Sequence, residues 1–129
     1  MIYIIDTYAW VEYVIGSSRG LILRQLFDNK NNKFITLECC LAELRAYCLR
    51  EKRDFEQLLD IVRHNSIILP VMKKQWLEAG KIRFELREKT PHFGLIDALL
   101  VSKQIELKSK IVSGDQHFKS LKNVIYIGD

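Results

Sequence analysis

Residues 2–5, Ile-Tyr-Ile-Ile, form a short unbroken apolar run with β-branched side chains that stops at Asp6, the pattern of a strand buried on both faces. Thr7 is placed to cap a helix over 7–15 closed by Gly16, and Ser17 or Ser18 to open a second helix reaching Asn29. Residues 33–36 read as a second strand. Leu37, Leu41, Leu44 and Cys48 then recur at steps of four, three and four, the stripe of an amphipathic helix. Asp54 caps a helix to about Asn65, residues 66–69 form a third strand stopped by Pro70, and a charged helix runs over 71–87. After a loop over 88–96, Asp97 opens a helix to Leu107. A strand over 110–113, a short helix over 115–121 and a last strand over 124–127 complete the pattern. Strands that are apolar without alternation, interleaved with helices, predict an α/β protein: a central parallel sheet with helices on both faces.

A chain of 129 residues holds one such domain, residues 1–129, and there is no repeat, low-complexity tract or linker to divide it. With 48% hydrophobic and 28% charged residues it is neither a disordered tail nor a membrane protein, and no apolar run approaches the roughly 20 residues that cross a bilayer. Without a basic leader ahead of its first apolar run, the chain is expected to work in the cytoplasm. Cys39, Cys40 and Cys48 cannot all pair and lack the spacing of a zinc or redox site, so they read as reduced packing thiols.

Open parallel sheets carry their reactive crevice beyond the C-terminal ends of the strands, where strand order reverses. Asp6 follows the first strand directly, and Asp115 follows the penultimate one after a single glycine. Asp97 stands at a helix N-terminus, and Glu43 lies on the helix after strand two. Taken singly, Asp6 and Asp97 read as caps, Asp115 as a turn residue and Glu43 as a solvated helix residue. Together, three of the four converge on one end of one sheet. Gathered carboxylates repel one another unless something neutralises them, and all-oxygen donors suit Mg²⁺ or Mn²⁺ over zinc. Charge adds to this picture. The net charge is +4, and setting those four acids aside leaves 12 acidic side chains against 20 basic ones, a surplus that favours an anionic partner. Two related designs fit poorly: a phosphoacceptor receiver wants paired acids after strand one, and a dehalogenase-type phosphatase wants Asp-x-Asp there, whereas position 8 is Tyr.

The motifs Ile4-Ile-Asp6-Thr-Tyr-Ala-Trp10, Leu41-Ala-Glu43-Leu44, Gly94-Leu-Ile-Asp97-Ala-Leu-Leu-Val and Val112-Ser-Gly-Asp115-Gln-His-Phe118, in this order, resemble the PIN-domain family, and in particular its VapC-type toxin ribonucleases. The resemblance implies a three-layer α/β/α sandwich and a metal-dependent endoribonuclease. It places Asp6, Glu43, Asp97 and Asp115 on the family's acidic quartet as catalytic residues and metal ligands for Mg²⁺ or Mn²⁺, with Asp6 and Asp97 foremost. Ser113 falls where the family has a Thr or Ser that hydrogen-bonds a carboxylate or a metal water, while His117 and Phe118 are expected to pack. The resemblance also implies an RNA substrate, a cognate antitoxin whose tail lies across the acidic crevice, and a homodimer; the composition adds that no membrane partner is expected.

Phosphodiester hydrolysis with one or two such ions yields 5′-phosphate and 3′-hydroxyl ends, and no histidine pair is available for the metal-free 2′-hydroxyl route. Arg45, Arg50, Lys52 and Arg53 are candidates to guide RNA; Lys81, Arg83, Arg87 and Lys89 fit a solvated helix face equally well. Trp10, Tyr13, Trp76 and Phe93 read mostly as core. Two other readings stay open at this level: a processing nuclease that is not a toxin, and a PIN module that binds without cutting.

Overall fold

Five parallel strands and six α-helices are present among residues 1–128, which the computed structural model describes. Chain order is β1 (Ile2–Ile5), α1 (Thr7–Ile15), α2 (Gly20–Phe27), β2 (Lys33–Leu37), α3 (Cys39–Glu51), α4 (Phe55–Asn65), β3 (Ile67–Leu69), α5 (Lys73–Leu86), α6 (Leu95–Leu107), β4 (Lys110–Ser113) and β5 (Val124–Tyr126). The sheet runs β3-β2-β1-β4-β5 with every pair parallel. Chain order therefore reverses between β1 and β4, and the end of that pair is the switch point where ligands enter such sheets.

Alternate side chains of each strand feed two cores. Ile4, Ile35, Leu37 and Ile111 face Ala79, Ile82 and the apolar side of α6, while Tyr3, Ile5, Phe34 and Val112 face Trp10, Leu23, Leu44 and Leu58. Period-two alternation with both sides buried explains why the strands read as continuous apolar runs. The result is a three-layer α/β/α sandwich, as the sequence implies. Trp10 and Phe93 are core residues, and Trp10 Nε1 donates to Thr36 Oγ1 at 3.0 Å, so each of these buried polar groups has a partner. Cys40 and Cys48 are buried free thiols, in keeping with packing. No helix among the described residues is long and apolar enough to cross a membrane.

Three boundaries differ from the sequence pattern for identifiable reasons. α2 begins at Gly20 because Ser17 folds back on the preceding helix, its hydroxyl donating to the Glu12 carboxylate and accepting the Gly20 N–H at 3.2 Å. Leu37 ends β2 and takes no part in α3, whose buried stripe is Cys40, Leu44 and Cys48. α6 starts at Leu95, so Asp97 lies within its first turn, not at its cap.

Candidate functional site

The chain leaves β1 at Asp6, whose backbone N–H donates to Val112 of β4 at 3.2 Å. Its carboxylate caps α1 by accepting the Ala9 N–H at 2.8 Å and also accepts the Ser113 hydroxyl. Ser113 Oγ in turn accepts the Asp115 N–H at 3.0 Å, so one serine ties the acid after β1 to the acid after β4. Asp97 reaches the same end from the first turn of α6, where the helix dipole favours its charge and the Gly94 N–H donates to Oδ2 at 3.4 Å. Glu43 comes from α3 and stands at the solvent-facing rim, where Thr7 Oγ1 donates to its Oε1 at 2.6 Å.

His117 completes the cluster. Its Nδ1 lies 3.2 Å from Asp97 Oδ2 and 3.5 Å from Asp115 Oδ1, and its backbone N–H donates to Asp115 Oδ1 at 2.9 Å. The expectation that His117 merely packs is corrected here. Phe118 fills the core, but the 3-10 turn Gln116–Phe118 points the two side chains apart and leaves that of His117 32% exposed among the acids. The available signal was its position two residues after Asp115, close enough to share that carboxylate. Asp97, Asp115 and His117 each offer a ligand atom within 4.8 Å of the others, the span a single cation bridges. Asp6 and Glu43 flank that trio.

The electrostatics follow from this crowding. Asp6 is held at about 7, chiefly by burial; the bonds from Ser113 and Ala9 oppose the rise, and the charges of Asp97 and Asp115 add to it. Asp97 is raised by burial first, against the His117 hydrogen bond, with Asp115 adding its repulsion. Glu43 is raised by partial withdrawal from water, against Thr7, and again by Asp97 and Asp115. The four acids thus share one electrostatic neighbourhood, and bringing a cation to it is favourable.

Beside the acids, the Tyr8 ring lies against the backbone of Gly114. A Cβ at position 114 would stand 2.0 Å from a Tyr8 ring carbon. Gly114→Ala is therefore expected to push the ring aside and destabilise the fold by about 1–3 kcal/mol in denaturant unfolding. Unchanged stability would show that Tyr8 yields freely.

The candidate RNA-guiding arginines are partly engaged elsewhere. Arg45 stacks over Phe55 at 5.2 Å and Arg50 over Tyr47 at 5.7 Å, while Arg87 Nε donates to the Phe93 carbonyl at 2.9 Å.

An open parallel sheet with carboxylates gathered at its switch point is the architecture of PIN domains, and the PIN-domain family model matches residues 3–124. The chain belongs to the PIN-domain family. Among solved structures it is similar to VapBC2 from Rickettsia felis, bound to a DNA fragment from its promoter, at 26% identity and a TM-score of 0.74 over 98% of this chain and 97% of that one. It shares its fold with the sarcin-ricin loop cleaving toxin VapC20 of Mycobacterium tuberculosis, at 16% identity and a TM-score of 0.75 over 95% and 96% of the two chains. The VapBC-1 structure from nontypeable Haemophilus influenzae shares it too, at 17% identity and a TM-score of 0.69 over the whole of both chains. No curated protein matches the sequence.

Proposed function

We propose that residues 1–129 form one nuclease domain, a Mg²⁺- or Mn²⁺-dependent endoribonuclease that acts in the cytoplasm as the toxin of a type II toxin–antitoxin pair. The observation that carries this reading is the convergence of Asp97, Asp115 and His117 within 4.8 Å, with buried Asp6 beside them, at the switch point of a PIN sheet. Asp6, Glu43, Asp97 and Asp115 would hold the cation through carboxylate oxygens, Asp6 and Asp97 foremost, with His117 beside them within reach of Asp97 and Asp115. When bound, a divalent cation supplies an activated water and offsets charge on the phosphoryl oxygens. The protein's own part is positioning. Ser113 fixes Asp6 against β4, Thr7 fixes Glu43, and the Gly94 N–H and His117 hold Asp97.

The partners in this reading are single-stranded or looped RNA, a cognate antitoxin and a second copy of the chain. The similarity to VapBC structures supports the antitoxin. Trp76, Leu77 and Phe84, all exposed on α5, supply apolar surface of the kind a protein partner covers. The deciding experiment is the chemistry of the ends. RNA cut by the purified protein with Mg²⁺ or Mn²⁺ is expected to carry 5′-phosphate and 3′-hydroxyl termini, and chelation stops the reaction. Cyclic 2′,3′-phosphate ends, or full activity after exhaustive EDTA treatment, overturn the metal mechanism. Growth arrest on induction separates a toxin from a processing nuclease.

A further inference from the structure

A cleft of about 570 Å³ opens directly beside the acidic cluster, within the roughly 300–1,000 Å³ that suits a small ligand. Asp115 and His117 form the wall it shares with the acids; Tyr8, Arg19, Gln116 and Tyr126 line the rest. Two glycines set its floor. Gly114 lets the Tyr8 ring lie on the backbone, and at Gly128 a Cβ would stand 2.3 Å from the Tyr126 hydroxyl. Both rings are thereby braced from behind while still bordering the cleft, so little side-chain freedom is lost when something stacks on them.

Arg19 is the cation that lines the cleft, and Lys119 lies against Tyr126. Arg19 Nη1 donates to the Tyr8 hydroxyl at 2.6 Å, and no carboxylate among the described residues forms an ion pair with it. Lys119 Nζ sits 5.6 Å from the centre of the Tyr126 ring. Two aromatic rings, a guanidinium still able to bond a phosphate, and the exposed amide of Gln116 match the three parts of a nucleotide: a stacking face, an anion and a hydrogen-bonding edge. A purely apolar ligand would strand the guanidinium, and an acidic peptide would leave the two aromatic rings without a stacking partner.

We infer that this cleft seats one unpaired nucleotide of the RNA next to the phosphate that is cut, with Tyr8 and Tyr126 as the stacking platform, Arg19 on the phosphate and Gln116 against the base edge. The inference rests on the nuclease reading and extends it to the residues that position substrate. None of the four is a metal ligand, so their substitution is read in binding.

The test uses Asp97→Asn protein, expected to cut RNA at least ~100-fold more slowly than the wild type, and a fluorescent single-stranded oligoribonucleotide followed by anisotropy. Adding Arg19→Ala is expected to weaken binding about 10-fold and to lower the salt slope by about 0.7, one single-strand phosphate contact. Tyr8→Leu weakens binding at least ~5-fold, the scale of one lost base stack, whereas Tyr8→Phe stays within about twofold. Removing the base at one position of the oligonucleotide reproduces the Tyr8→Leu loss and adds nothing to it. Gln116→Ala changes which base is preferred at that same position.

If Arg19→Ala and Tyr8→Leu both bind within twofold of the parent while the wild type cuts RNA, the cleft proposal fails and the nuclease reading stands. Should the wild type neither bind nor cut RNA, both fall. A protein that co-purifies with the wild type and is lost with Arg19→Ala, at unchanged RNA affinity, makes the cleft a protein-docking site and overturns the nucleotide.

Discussion

Asp97→Asn is expected to slow RNA cleavage at least ~100-fold under single-turnover conditions, the scale of losing one electrostatic contact to a transition state, roughly 3 kcal/mol. The substitution keeps the side chain's volume, and the amide oxygen can still accept the Gly94 N–H that Asp97 accepts at 3.4 Å. Only the charge goes, and it goes from the most buried side chain of the trio: Asp97 is 19% exposed against 32% for His117 and 39% for Asp115. Asp54 provides the control. It caps α4 by accepting the Gln57 N–H at 3.2 Å, so Asp54→Asn tests the same chemical change at a helix start outside the acidic cluster and should leave the rate intact. An Asp97→Asn protein retaining more than a tenth of the wild-type rate would reduce Asp97 to a helix-start residue.

Asp6→Asn should raise the melting temperature of the cation-free protein at pH 7.5 by about 10 °C and leave it unchanged near pH 4. The folded-state pKa of Asp6 is raised from 3.8 to about 7, mainly by burial. A carboxyl of this kind favours the fold while protonated. That contribution is complete below pH 4 and is lost as pH rises through 7, the reverse of a salt-bridged acid. About three pKa units at 1.36 kcal/mol each set an upper bound near 4 kcal/mol, and about 2 kcal/mol suffices for the expected change. Asparagine avoids the charge while its oxygen still accepts the Ala9 N–H and its amide can donate to Ser113. Wild-type protein in EDTA should likewise melt higher at pH 5 than at pH 7.5. Added Mg²⁺ should recover ~1.4 kcal/mol for the wild type at tenfold over Kd and less for the variant. A variant that melts lower than the wild type at pH 7.5 would mean that Asp6 is stabilised as a carboxylate, and that the acids do not repel one another as their placement requires.

Much of this architecture was legible in the chain because each element carries its own local signal. Asp54 marks the start of α4, and the unbroken Ile2–Ile5 run could only serve a strand covered on both sides. Three acids could be placed at one sheet end because strand ends are sequence-local features. What escaped was settled by distant contacts. Ser17 turning back to Glu12 moved the start of α2, and β2 claimed Leu37 through its pairing with β3. The role of His117 was hidden because nothing in Gln-His-Phe tells which of two adjacent rings turns inward; the 3-10 turn and the filled core around Phe93 and Phe118 decide it. Tyr8 and Arg19 were invisible as a pair for a similar reason. Their contact spans the bend between α1 and α2, and the small residue that receives the Tyr8 ring lies at position 114.

The strand order has a consequence in time. β1 precedes the other four strands in the chain, yet it lies in the middle of the sheet, and one of its two neighbours is β4, the fourth strand in chain order. Asp6 and the serine that holds it are 107 residues apart, a gap of roughly 5–20 s at ordinary rates of ribosomal synthesis. Through that interval a nascent chain can assemble its β1-β2-β3 half and the helices that cover it. It still lacks the Ser113 hydroxyl, Asp115 and His117. The acidic end of the sheet is thus completed only after the β1-β2-β3 half, and a chain released between the two lacks Ser113, Asp115 and His117.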